Sequence, residues 1–207
     1  SEMIFSSLPS GLKQTAFNVL IQLSEDTNWE VRLNTAEAID KAFSSLPSGL
    51  KQTALNVLIQ LSEGTNWEVR LNTAEAIDKA FSSLPSGLKQ AAHHTLLQLS
   101  EDTNWEVRLK ADEAILKTPL SSKAQKQTAL NVLIQLSEDK YSSWENSFKA
   151  AEVILKTPLS SKAQKQVALN AIIYWENSFK AAEVILKTHL SSKAQKQTAL
   201  NVLIQLS

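Results

Sequence analysis

The sequence predicts an all-α solenoid of about five stacked helical hairpins, and three observations carry that expectation. Residues 6–43 recur at 44–81 with two changes, Phe17 to Leu55 and Asp26 to Gly64. Residues 145–170 recur at 176–201, again with two, Pro158 to His189 and Val167 to Thr198. Within each copy the apolar residues fall at helical spacing. One hairpin cannot bury its apolar stripe alone, so the copies must stack on one another.

Each copy reads as two helices. In the first, Leu50, Ala54, Val57, Leu58 and Leu61 share one face. Pro47 and Ser48 mark its start, and in later copies Ser122 with Gln125 has the pattern of a capping box. The second helix opens at Thr27-Asn28-Trp29-Glu30, where Thr27 can cap and Glu30 can return the bond. Thr65/Glu68, Thr103/Glu106 and Ser142/Glu145 repeat the signal. Its buried side should hold Trp29, Leu33, Ala36, Ile39 and Phe43, with the small alanine admitting a close neighbour. Trp29, Trp67 and Trp105 are spaced by 38, Trp144 follows after 39, and Trp175 after only 31. The last full copy is therefore shortened. The organisation expected is a repeat stack over 1–160, followed by a shortened region over 161–207.

Composition limits the chemistry. The 207 residues are 43% hydrophobic and 20% charged, enough apolar material to build a core. Net charge is zero, which argues against generic binding to a phosphate backbone. The portion up to Lys110 leans acidic and the remainder basic. With no cysteine there is neither a disulfide nor thiolate chemistry. No apolar run reaches the ~18 residues of a membrane span, and the N-terminus lacks the pattern of a signal peptide, so a cytoplasmic location is the expectation.

The stretch EDTNWEVRLNTAEAI resembles the second half of a HEAT repeat, with an Asp, then Val-Arg, then spaced Ala and an aliphatic residue. Asp26 with Val31-Arg32, and Asp102 with Val107-Arg108, carry the pattern. The tryptophan before Val-Arg is similar to units of the protein phosphatase 2A scaffold subunit. The resemblance implies an α-solenoid in which Asp and Arg form a structural ladder between adjacent repeats, here Asp26, Arg32, Arg70, Asp102 and Arg108. The second copy departs with Gly64 in place of Asp, and the fourth and fifth carry Ser147 and Ser178 where Arg would stand.

Candidate sites are few. Catalysis asks for one distinctive constellation, and near-identical copies provide none. Serines crowd the turns without a recurring base in register, and there is no glycine-rich phosphate loop. His93 and His94 are adjacent, so on a helix they point about 100° apart and chelate poorly. His189 replaces a turn proline. No enzyme activity and no cofactor are expected. The five tryptophans could stack a ligand, though a packing role at the first turn of each second helix is the plainer reading. Lys123 and Lys126, Lys162 and Lys165, and Lys193 and Lys196 define a candidate basic edge; solubility and capping of carbonyls explain such lysines equally. Along the second helices, Glu30, Asn34, Glu37, Lys41, Glu68, Asn72, Glu75 and Lys79 are candidates for contacting a protein.

The shortened copy, NAIIYWENSF at 170–179, runs an apolar series directly into Tyr174-Trp175. Ala168, Ile172, Trp175, Phe179, Ala182 and Leu186 keep a heptad-like spacing across the missing turn. That spacing predicts one fused helix over 161–188, and with it an exchange of residues 161–207 between two chains in a homodimer; a tight kink near Tyr174 that keeps 161–207 in the same solenoid is the alternative. The termini resemble interior copies, which fits a fragment of a longer array or an end covered by self-association. The function expected is a non-catalytic protein-binding scaffold. A nucleic-acid-binding solenoid using the lysine-rich turns is the runner-up, and a structural or engineered array without a dedicated ligand is the third reading.

Overall fold

The computed structural model describes residues 9–139, 144–174 and 179–206. Among the described residues there are helices and turns but no strand. The chain is all-α and of the helical-repeat solenoid class, as its repeats require. It divides into two compact units, Ser1–Ser122 and Lys123–Ser207. The division falls at the change of repeat type, not at the shortened copy.

The first unit contains α1 (Ser10–Ser24), α2 (Trp29–Phe43), α3 (Ser48–Ser62), α4 (Trp67–Ala80), α5 (Ser86–Leu99) and α6 (Trp105–Lys117), with a 3₁₀ turn at Phe81–Ser83. Helices α1 and α2, α3 and α4, and α5 and α6 pair as hairpins. Successive first helices pack side by side in one layer, and successive second helices α2, α4 and α6 do so in the other. Between the layers lie the residues that the helical spacing singles out: Leu50, Ala54, Leu58 and Leu61 of α3, and Ala36, Ile39 and Phe43 of α2. Each fully buried Leu, Ile or Phe contributes about 1.5–3 kcal/mol. Ala36 and Ala74 are wholly buried, consistent with a close approach of neighbouring helices.

The first helices begin directly after Pro9, Pro47 and Pro85, whose extended ψ near 145–149° turns the chain into the helix without a side-chain cap. The second helices are capped, but by the residue after the one the sequence suggests. Asn28, Asn66 and Asn104 take the cap position, and their side-chain oxygens accept N–H bonds from Glu30, Glu68 and Glu106. Thr27 and its copies sit one residue too early. The short carboxamide satisfies orphan donors at the helix start better than a threonine a residue further out.

The second unit contains α7 (Lys123–Glu138), α8 (Trp144–Lys156), α9 (Lys162–Tyr174), α10 (Phe179–Lys187) and α11 (Lys193–Leu206). The capping box expected from Ser-x-x-Gln forms in full at Ser161/Gln164 and Ser192/Gln195, with reciprocal bonds of 2.7–3.2 Å. Helix α8 packs against both α7 and α9, and α10 against α11.

The fused helix over 161–188 is not what the described residues form. Helices α9 and α10 are separate and touch each other, and α10 lies beside α8, where Lys156 and Lys187 line the same recess. A straight helix would carry Lys187 roughly 40 Å from the start of α9, which adjoins Lys156. Folding back instead buries Ala181, Ala182 and Ile185. Heptad spacing reports only that one face is apolar; burial of that face against α9 and α11 outweighs helical continuity. The joint itself, including Trp175, lies outside the described residues. The chain exchange inferred from a fused helix loses its premise.

Candidate protein-interaction surface

The second helices of the first unit carry a layer of charged side chains, some of which tie neighbouring repeats together. Glu30, Asn34 and Lys41 are exposed, while Glu37, Glu68, Asn72 and Glu75 are half-buried. Glu37 pairs with Lys41 one turn on at 3.2 Å. Lys79 is exposed yet engaged: its ammonium meets Asp40 of the preceding repeat at 2.6 Å. That hydrogen bond is the main reason its pKa stands above the usual lysine value. Lys117 reaches Asp78 in the same way at 3.3 Å, joined by Lys110 at 3.4 Å. The eight candidates are thus brought onto one layer, with Lys79 tied into the stack.

This inter-repeat clamp, Asp40 to Lys79 and Asp78 to Lys117, is absent from the sequence expectations. Its signal is an Asp in one copy and a Lys 39 residues further on. Only the stacking register makes that spacing meaningful.

The Asp–Arg ladder is partly realised. Arg70 donates from Nε to Asp102 Oδ2 at 2.6 Å and from Nη2 to Oδ1 at 2.9 Å, a bidentate pair between the second and third copies. Burial pushes the Asp102 carboxyl up, but the bonds from Arg70 and the Asn104 amide outweigh it and hold the group below its ordinary value. Arg32, Arg70 and Arg108 each also tie down their own loop, Nη1 donating to the carbonyls five and six residues back. Asp26 accepts from the Asn28 amide at 2.8 Å. Facing Arg32, the equivalent of Asp102 is Gly64, which has no carboxylate to offer. In the second unit Ser147 stands where Arg would and is buried, its hydroxyl donating to the Asp139 carbonyl at 3.1 Å. A loop tether persists with a different side chain.

The basic-edge lysines all fall in the second unit. Lys123, Lys162 and Lys193 are exposed at the first residues of α7, α9 and α11, with Lys126, Lys165 and Lys196 half-buried one turn on. They sit at positive helix ends, which disfavours them electrostatically unless an anion or solvent screens them. Trp29, Trp67 and Trp144 are exposed, at 36–39%, so Trp29 does not join the buried side of its helix: the first turn projects past the neighbouring helices that cover Ala36, Ile39 and Phe43. His93 is buried, its Nε2 3.0 Å from the Ser121 hydroxyl. Burial first, and the neighbouring His94 second, lower its pKa. His94 and His189 are exposed.

One buried group is absent from the sequence expectations. Asp112, 1% exposed, occupies the position of Ala36 and Ala74. Its Oδ2 has no hydrogen-bond partner among the described residues. Burial pushes its pKa to about 8, against a smaller opposing pull from Arg108. The signal was a carboxylate at a repeat position otherwise filled by alanine.

Residues 16–45 match the HEAT repeat family model, spanning the end of one first helix and a complete second helix. The chain is built of HEAT-like repeats. A designed armadillo repeat protein is similar over 100% of this chain and 90% of its own, at 21% identity and a TM-score of 0.47. A computationally designed armadillo repeat protein for modular peptide recognition is similar over 98% and 89%, at 22% identity and a TM-score of 0.47. Kap121p bound to Nup53p is similar over 92% of this chain and 21% of its own, at 12% identity and a TM-score of 0.50. None of the curated proteins compared matches the sequence of this HEAT-like chain.

Proposed function

We propose that the chain is a non-catalytic protein-binding scaffold whose contact surface is formed by its second helices. The observation that carries this reading is the layer of α2, α4 and α6, which repeats Glu30, Asn34 and Glu37 as Glu68, Asn72 and Glu75 in register. A repeated, partly exposed row on a stiff support holds binding groups in place, so little entropy is lost when a partner docks. Kap121p, whose structure has Nup53p bound, supports the reading by showing this fold in a protein complex.

The test is a comparison of proteins retained by the immobilised full chain and by a variant carrying Glu30→Lys, Glu37→Lys, Glu68→Lys and Glu75→Lys. The scaffold reading expects specific partners to be lost by the variant. Equal retention by both would overturn it.

Lys123, Lys162 and Lys193 at three helix starts favour a second reading, binding of a nucleic acid along the second unit. Replacing Lys123, Lys126, Lys162 and Lys165 by Glu tests it. Unchanged retention on heparin excludes that stripe.

A further inference from the structure

The junction of the last two copies lacks both halves of the Asp–Arg rung. Between the second and third copies the Arg70 guanidinium bridges one repeat to the next. Its Nη1 donates to the Gly64 carbonyl at 2.9 Å, and its Nε and Nη2 donate to Asp102 at 2.6 and 2.9 Å. In the second unit Ser147 stands where Arg70 does, and its hydroxyl donates to the carbonyl of Asp139, the equivalent of Gly64, at 3.1 Å. The carboxylate of the following copy is missing too. The eight residues 136–143 of one copy have no counterpart between Tyr174 and Trp175 of the next. A serine reaches the loop but cannot fill the space of a guanidinium, and a recess of about 300 Å³ opens beside that loop.

The chemistry of this recess favours one kind of guest. Val167, Ala171 and Tyr174 of α9 form one wall and Glu138 and Asp139 the other, with no lysine or arginine in the lining. Both carboxylates are exposed, and Glu138 forms no ion pair among the described residues. Helices α7 and α9 both end here, at Glu138 and Tyr174, so their last carbonyls add negative potential. A cation with a flat face suits carboxylates, helix ends and an aromatic wall together. Guanidinium has that face and a forked set of donors; ammonium has neither.

We propose that the recess between the ends of α7 and α9 is a docking site for an arginine side chain of a partner protein. The guest guanidinium takes the place that Arg70 fills from within the chain in the first unit. It donates to Glu138 and Asp139 and lays its face on Tyr174. Such a site keeps from the scaffold reading only that the partner is a protein. It belongs to first-helix ends of the second unit, not to the row that begins at Glu30.

Fluorescence anisotropy decides it, using the full chain and a labelled Gly-Leu-Arg-Leu-Gly peptide. Two counterparts replace the arginine: citrulline keeps the shape and loses the charge, and lysine keeps the charge and loses the fork. The arginine peptide is expected to bind saturably and about tenfold or more tighter than either. Glu138→Lys, at an exposed position, is expected to weaken it by about tenfold and to leave the citrulline peptide unchanged. Ser147→Arg supplies the missing guanidinium from within the chain and is expected to fill the recess and abolish the preference. If Ser147→Arg loses helicity by circular dichroism, Glu138→Lys alone decides. Equal binding of the arginine peptide and either counterpart, or a preference that survives Glu138→Lys, overturns the proposal. So does self-association that Glu138→Lys abolishes with no peptide present, because the recess then holds a second copy of the chain. Partners lost by the variant with four glutamates reversed, together with no arginine preference here, would leave the scaffold reading standing and remove only this site. The converse pair of results would do the reverse.

Discussion

Asp112 puts a carboxyl where two sister copies place the methyl groups of Ala36 and Ala74, and the exchange has a pH signature. In the unfolded chain an aspartate ionises near 4, while in the fold burial holds this one to about 8. Between those values the unfolded chain sheds a proton that the folded one keeps. Stability is therefore greatest below about pH 4 as regards this group, and falls as the pH rises to about 8. Asp112→Ala is expected to flatten that slope and to add about 2 kcal/mol at about pH 8, read from urea midpoints on either side of the window. Asp102 acts with the opposite sign. Its pKa is lowered, so its contribution is present above the unfolded value and is lost as the pH falls through the folded one. Gly64 offers the complementary gain. The sister turns at Asp26 and Asp102 make the same amide bond, to the carbonyls of Leu23 and Leu99 at 3.3 and 3.2 Å, as Gly64 makes to Leu61 at 3.2 Å. A side chain therefore fits this turn, although its Cβ would lie 3.2 Å from the Leu61 carbonyl oxygen. Gly64→Asp is expected to create a rung to Arg32 and to stabilise the first unit by about 1 kcal/mol. A double-mutant cycle with Arg32→Lys checks that the gain belongs to the rung.

Helices show how much of the fold the sequence discloses. The starts at Ser48 and Trp29, the buried Ala54, Leu58 and Ile39, and the Ser161/Gln164 box follow from spacing and capping chemistry, which act within a few residues. The caps at Asn28 and its copies were one residue away from the reading, because threonine and asparagine offer similar oxygens and only the entry angle of the chain separates them. Asn66 accepts from two amides, Glu68 at 2.8 Å and Val69 at 3.2 Å. Asn66→Ala is expected to cost about 1 kcal/mol in denaturant unfolding, and Thr65→Ala much less. The break between α9 and α10 was illegible for a deeper reason. Ile172 and Ala182 keep a helical period whether or not the chain turns between them, and only the burial of Ala181, Ala182 and Ile185 decides. The candidate surface was legible as positions, Glu30 to Lys79, but not as pairs. Which aspartate meets which lysine depends on how the copies are stacked.

Over the whole molecule the two units rely on different forces between their second helices. The first joins them with ion pairs whose lysines are 56–59% exposed, at Lys79 and Lys117. Such pairs contribute less than about 1 kcal/mol each and weaken as salt shortens the screening length. In the second unit α8 carries Leu155 at the matching place, and Lys156 and Lys187 pair instead with Glu152 and Glu183 of their own helices. Amide exchange in α4 and α6 is expected to quicken modestly as salt is raised to about 1 M, with α8 and α10 unmoved or slower. Equal response in both units would contradict the assignment of these forces.

The bidentate rung between Arg70 and Asp102 has a consequence for how the chain reaches its fold. Residues 6–43 and 44–81 differ at two places only, so a nascent chain that stacks the wrong copy against a neighbour forfeits very little energy. Most contacts cannot tell the first copy from the second. The junction of the second and third copies can, since Asp102 finds a guanidinium there in a geometry that no carboxylate offers at the junction before it. That rung serves as a register mark, and its loss is expected to show less in the depth of the native well than in the appearance of slow, misaligned refolding phases.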